Sequence, residues 1–275
     1  MKKLAISIVI LLMSMSVFAQ SVDSLVACGV RFLDRGEFQQ ADSCFNLVSG
    51  KIGEATPYET AYSYHLNFGL LKVKTWDFKQ AWPYLESALE LAEEREDNPK
   101  IVSALSAQAT YHNLHGDLRK AISIQEEAKE IAIDVDSSDY YGLVSNLGIG
   151  YANLGLSDLA LDYYLKARAY FERKGELNNL AHIENNLGEL YRENFEDHEL
   201  AEEHLRAAIE INSEEGHEPK LAMNYHNLAV TLQNQGLCDS AEHYINKCLA
   251  LREKVGANGR MASSMTVKGD IFICK

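Results

Sequence analysis

Beyond residue 19 the chain lacks any apolar run approaching the roughly 20 residues a membrane-crossing helix needs, so no stable membrane insertion is expected of that part. Positive charge is also short, with 26 Lys and Arg against 40 Asp and Glu and a formal net charge of −14. A surface of that sign repels nucleic acid and anionic lipid and attracts basic partners at long range. Cysteine is scarce and odd in number: Cys28, Cys44, Cys238, Cys248 and Cys274. That count argues against a disulfide scaffold. Cys28 and Cys44 can face each other across one helical hairpin. Cys238 and Cys248, ten residues apart on one expected helix, are separated by about 15 Å of helix rise, too far to bridge. Most of the five are expected to be small core residues.

Catalytic signatures are missing too. His112 and His115 are offset by three residues, and no Cys or His cluster completes a tetrahedral metal set. His198-Glu199 begins like a zinc-protease helix, but Glu202 occupies the place of the second histidine. There is no serine or cysteine nucleophile motif and no lysine phosphate loop. The acidic run Glu196, Asp197, Glu199, Glu202 and Glu203 has the pattern of a solvated helix face. The expectation is a protein that is not an enzyme and holds no cofactor or metal.

What is present begins with a leader. Met1-Lys2-Lys3 precedes the apolar run from Leu4 to Val17, and Val17-Phe18-Ala19 precedes Gln20. A charged start, a short apolar segment and a small-residue cleavage site make a signal peptide over 1–19. Cleavage would remove Lys2 and Lys3 and leave a charge of −14 − 2 = −16 on a periplasmic or secreted protein.

The stretch Asn146 to Gly155 reads NLGIGYANLG, with three glycines in ten residues. A dinucleotide-binding loop would need those glycines where a strand turns into a helix. Here the segment is one copy of a recurring unit. NLGIGYANLGLSDLALDYYLKA from Asn146 matches NFGLLKVKTWDFKQAWPYLESA from Asn67, NLGELYRENFEDHELAEEHLRAA from Asn186 and NLAVTLQNQGLCDSAEHYINKC from Asn227. Ala41, Ala81, Ala121, Ala160, Ala201 and Ala241 mark the units at spacings of 40, 40, 39, 41 and 40 residues. Gly29, Gly69, Ala109, Gly148 and Ala229 stand twelve residues earlier, with Gly188 in the same role one place further back. Val48, Ala88, Ala128, Ala167, Ala208 and Cys248 follow seven residues later. Small side chains at these spacings let two antiparallel helices approach closely. Gly36, Gly116, Gly155 and Gly236, replaced once by Trp76, mark the turn between them.

This pattern resembles the tetratricopeptide repeat, with Gly148, Tyr151, Gly155, Ala160, Tyr164 and Ala167 matching nearly in full. The period of about 40 exceeds the usual 34 and is similar to that of the longer-repeat branch seen in kinesin light chains and bacterial peptide-sensing regulators. The resemblance implies an all-α, right-handed α-α superhelix over residues 20–275. Six complete helix pairs lie near 22–57, 58–98, 99–137, 138–176, 177–217 and 218–257, followed by the first helix of a seventh over 258–275.

One polar register stands out. Asn67, Asn146 and Asn227 lie fourteen residues before the alanine marker, and Asn186 is equivalent after a one-residue shift. Asparagine is a mediocre helix former, and this position lies two residues, about 200°, from the close-packed glycine. In repeats of this type that face lines a concave groove. Stacked amides there can pair with the backbone of an extended peptide. Asn185, Glu189, Arg192, Asn224 and His226 would complete a polar lining, with the amides facing solvent. The carboxylate clamp of chaperone-binding repeats is not evident, since the matching places hold Ser106, Thr110, Asn146, His182 and Asn186.

The expected function is extracytoplasmic binding of a protein or extended peptide, with basic ligands favoured by the charge. The alternative is the sensor ectodomain of a longer bacterial signalling protein, a membrane kinase or DNA-binding regulator. It rests on the segment from Met261 to Lys275, which repeats a first helix with Gly269 and Phe272 at the small and aromatic positions and would leave Ile271, Phe272 and Ile273 partly bare.

Overall fold

The computed structural model describes residues 21–132, 137–255 and 260–274; the signal-peptide reading of residues 1–19 lies outside them. Among the described residues the chain forms thirteen helices and no strand. They are α1 (Val22–Asp34), α2 (Phe38–Asn46), α3 (Tyr58–Lys74), α4 (Phe78–Glu93), α5 (Asn98–His115), α6 (Leu118–Ile131), α7 (Ser138–Asn153), α8 (Ser157–Lys174), α9 (Leu177–Glu193), α10 (His198–Glu214), α11 (Glu218–Asn234), α12 (Cys238–Lys254) and α13 (Met261–Cys274). They fall into two compact units, α1 to α5 and α6 to α13. No described helix is long and apolar enough to cross a membrane.

Within each unit consecutive helices pack in adjacent pairs, and alternate helices touch as well: α1 with α3 and α3 with α5 in the first, α7 with α9, α9 with α11 and α11 with α13 in the second. This is a tetratricopeptide-like arrangement, and the small residues read from the sequence make it possible. All six marker alanines and the six residues seven positions after them are buried. A Cβ placed on Gly29, Gly69, Gly148 or Gly188 would come within 2.6–2.7 Å of Phe45, Leu85, Tyr164 or Leu205 on the helix that follows. The glycines therefore set how closely each pair approaches. The turns behave as the sequence implies: Gly36, Gly116, Gly155 and Gly236 have φ between 73° and 94°, and Trp76 adopts φ 63° in the same role. Where the turn after α9 carries an extra residue, Glu196 takes φ 55°. Asp77, Asp97, Ser137 and Asp197 cap the helices that follow them by accepting a backbone N–H.

Two expectations are corrected. The cysteines are not mostly core residues: only Cys44 and Cys248 are buried, and Cys238 is disulfide-bonded to Cys274, their Cα atoms 6.0 Å apart. The reason is that α13 packs on α12 and brings its last turn beside the first turn of α12, a proximity across 36 residues that a helix-rise argument confined to α12 does not see. Ile271 is not bare but 1% exposed, because it faces the core formed with Leu228, Ile245 and Cys248. Phe272 and Ile273 are 79% and 83% exposed, in line with expectation.

Candidate functional site

The asparagine register is turned inward at two of its four positions, Asn186 and Asn227, while Asn67 and Asn146 are half-buried. Asn185, Asn186, Asn224 and Asn227 are all buried, with exposures between 1% and 8%. The expectation that these amides face solvent is therefore corrected. They form a ladder instead. Asn224 and Asn227 of α11 both donate to Oδ1 of Asn185 on α9, at 2.9 and 3.0 Å. Asn185 donates to Glu189 at 2.9 Å, Asn227 also donates to Glu189, and Asn212 of α10 donates to Asn224 at 2.7 Å. An amide carries donors and acceptors together, so amides can satisfy one another where water is excluded, and burial then costs little. Asn67, in the first unit, donates to the Ser63 carbonyl of its own helix at 2.8 Å. Asn146 is half-buried on α7 and stands outside the ladder.

Asn186 differs from its neighbour. It is 8% exposed, and its Nδ2 has no hydrogen-bond partner. It lines a cavity of about 330 Å³ together with Ile149, Ala152 and Asn153 of α7, Tyr164 of α8, and Glu189, Leu190, Glu193 and Asn194 at the end of α9. Burial, and then the charge of Glu189, push the Tyr164 hydroxyl above its ordinary range. The lining residues therefore include an asparagine with an unsatisfied amide donor, the carboxylates of Glu189 and of the ion-paired Glu193, and an apolar wall. An unmade hydrogen bond at a buried donor costs about 1–3 kcal/mol, which an incoming carbonyl would recover.

Arg192 and His226, also expected in the lining, serve other contacts. Arg192 is ion-paired with Glu193 at 2.6 Å, and its Nε is buried without a partner. His226 pairs through Nδ1 with Ser264 of α13 at 3.0 Å, and Ser264 also accepts from Arg252 at 2.6 Å. Burial, followed by the positive charges of Arg252 and Arg192, lowers His226 from 6.5 to about 4. A histidine so depressed favours the folded state above its unfolded value and loses that contribution as pH falls from 6.5 towards 4. The melting temperature should therefore fall across that window. His226→Gln, which keeps a polar partner for Ser264 without titrating, should flatten the fall by an amount on the order of 1–3 kcal/mol. Equal slopes in a differential-scanning pH series would contradict this.

One buried charge cluster escaped the sequence reading. Glu184 of α9 is 3% exposed and is held by Arg168 of α8 and His204 of α10, each at 2.6 Å, with His204 stacked on Tyr191. Burial pushes the Glu184 carboxyl up, but the bonds to His204 and Arg168 outweigh it and hold the group below its ordinary value. The three residues sit on three helices, so no spacing within one helix signals them.

Comparison with known proteins accords with this geometry. The family profile described as tetratricopeptide repeat matches residues 141–214 and 180–254. No curated protein matches by sequence. Among solved structures, the chain is similar to BtubC (BKLC) from P. vanneervenii, with 21% identity, a TM-score of 0.60, and coverage of 86% of this chain and 93% of that one. Aspartyl phosphate phosphatase F from Bacillus subtilis is similar at 12% identity and a TM-score of 0.67, over 91% of this chain and 79% of the other. NprR in complex with its cognate peptide NprX is similar at 14% identity and a TM-score of 0.56, over 92% and 73%. At these identities the likeness is one of fold.

Proposed function

We propose that this tetratricopeptide-like solenoid is an extracytoplasmic binding scaffold for a protein or an extended peptide, engaged at the cavity between α7, α8 and α9. The observation that carries the reading is the buried, unpartnered Nδ2 of Asn186 on the cavity wall. Its unmade hydrogen bond suits a backbone carbonyl, while Glu189, bonded by the neutral amides of Asn185 and Asn227, keeps a charge that favours a cationic side chain beside it. The asparagine ladder takes the role of a rigid floor, holding α9 against α11 so that the cavity is formed before the ligand arrives and little ordering is paid on binding. NprR, solved with a peptide, lends support by fold. The signal-peptide pattern of residues 1–19 and the net charge of −14 support the reading of an extracytoplasmic site and a basic ligand.

The test is affinity capture from the extracytoplasmic fraction, followed by titration of the captured ligand against the intact chain and against Asn186→Ala. A lost hydrogen bond of about 0.5–1.5 kcal/mol should weaken binding roughly twofold to tenfold. Raising the salt concentration should weaken it further. The melting temperature of the variant should hold or rise, since a buried unsatisfied donor is removed and alanine is the better helix former. Unchanged affinity in Asn186→Ala would move the site away from this cavity.

A further inference from the structure

The first hairpin departs from the others at one pair of positions. Cys28 precedes the close-packed Gly29, and Cys44 follows the marker Ala41 by three residues. In the same register the later repeats carry Phe68 with Tyr84, Gln108 with Ile124, Leu147 with Tyr163, Leu187 with His204, and Leu228 with Tyr244. In the second repeat the two rings are packed with centroids 4.7 Å apart. The later repeats thus carry larger side chains at both positions, and the first carries two of the smallest.

The local geometry gives the substitution a purpose. Gly29 lets α1 approach the Phe45 ring, where a Cβ would come within 2.6 Å, and this draws the adjacent residues together. The Cys28 and Cys44 sulfur atoms lie 2.8 Å apart. The second helix of this hairpin is also short, α2 having nine residues against fourteen to eighteen in α4, α6, α8, α10 and α12. We infer that Cys28 and Cys44 are a second oxidisable pair, and that their disulfide stands where the second repeat packs Phe68 on Tyr84 and locks α1 to α2.

Closure needs an oxidant, and a small-molecule disulfide such as oxidised glutathione supplies it. The Cys28 thiolate attacks one sulfur of the oxidant, forming a mixed disulfide and releasing one glutathione thiol. Cys44, once deprotonated, attacks the Cys28 sulfur of the mixed disulfide and releases the second thiol. The pair gives up two protons and two electrons, and the oxidant becomes two thiols. Cys28 is the half-buried member and Cys44 the buried one, so the first attack falls to Cys28. Burial, together with the hydrogen bond to Cys28, pushes the Cys44 thiol up to about 12, which agrees with that order.

The experiment uses the full mature chain, equilibrated in mixtures of reduced and oxidised glutathione, quenched with a maleimide and mapped by peptide mass spectrometry. A peptide pair joining Cys28 to Cys44, lighter by two hydrogens than the dithiol, is expected at the oxidised end, alongside the one joining Cys238 to Cys274. Amide exchange within α1 and α2 should slow by about a hundredfold on oxidation, the constraint expected for a closed loop of this length. The same oxidation should leave exchange in Cys28→Ser unchanged. Comparing the reduced and oxidised wild type needs no substitution, so a variant that failed to fold would not spoil the test. Maleimide on both Cys28 and Cys44, or glutathione retained on Cys28 alone, in a mixture that closes Cys238 to Cys274, would overturn the inference.

Discussion

Gly148→Leu should lose about 1–3 kcal/mol or more of stability, with a melting temperature lower by several degrees. A Cβ at this position would lie 2.7 Å from Cδ1 and Cε1 of Tyr164, whose side chain is 3% exposed. The ring is packed in the cluster that includes Val144, Phe171 and Leu187, so it cannot yield without displacing others. Gly142 on the same helix supplies the control. Nothing lies within 4 Å of its added Cβ, and its φ is not positive. Gly142→Ala should therefore stabilise by about 0.5–1 kcal/mol through helix propensity alone. Thermal denaturation of the two variants checks both signs, and equal melting temperatures would mean that the α7–α8 seam does not lie at Gly148.

Asn185→Ala should cost about 2–4 kcal/mol, whereas the adjacent Asn186→Ala should cost nothing. Asn185 accepts from Asn224 and Asn227 and donates to Glu189, so its removal strands the Asn224 donor and opens a gap between α9 and α11. A stranded buried donor alone costs about 1–3 kcal/mol, and the lost volume adds to it. Asn186 strands nothing when it is removed, because its amide is unpartnered already. Urea denaturation of the two single variants separates them. Equal losses would show that the ladder bears no more load than the cavity wall.

That contrast marks the limit of reading the sequence. The repeat, its seams and its turns follow from small residues at fixed spacing, because close approach leaves chemistry little choice at Gly148, Ala160 or Gly155. The NLGIGYANLG segment shows how far the logic extends. Gly148 faces α8, Gly155 makes the turn at φ 75°, and Gly150 faces Ile122 of α6 at 2.7 Å from an added Cβ. Only the third role went unread, because Gly150 has no counterpart in the other repeats. The asparagines were legible as a register but not as a ladder. Period alone assigns a face, and whether that face meets water or a neighbouring helix depends on what the amides 39 and 42 residues away can donate. Asn185 and Asn186 are one letter repeated, yet helix geometry turns one into the ladder and the other towards a cavity. Glu184, Arg168 and His204 left no trace in any single helix for the same reason.

The close-packed glycines have a further consequence for how such a chain tolerates recombination between its own copies. The four glycines meet three kinds of side chain: phenylalanine at Phe45, tyrosine at Tyr164, and leucine at Leu85 and Leu205. A hairpin is thus a lock that only some of the other keys fit. A crossover at an inter-repeat loop such as Gly175 or Gly216 carries the two together, and the hairpin arrives intact. A crossover at Gly155, in the turn between α7 and α8, onto the hairpin of Leu85 or Leu205 would part Gly148 from Tyr164 and leave leucine where a ring had been, with a void the size of the difference. The unit that can be duplicated, deleted or exchanged is therefore the whole pair, and the bend that looks like the natural place to cut is the one place where cutting breaks the match.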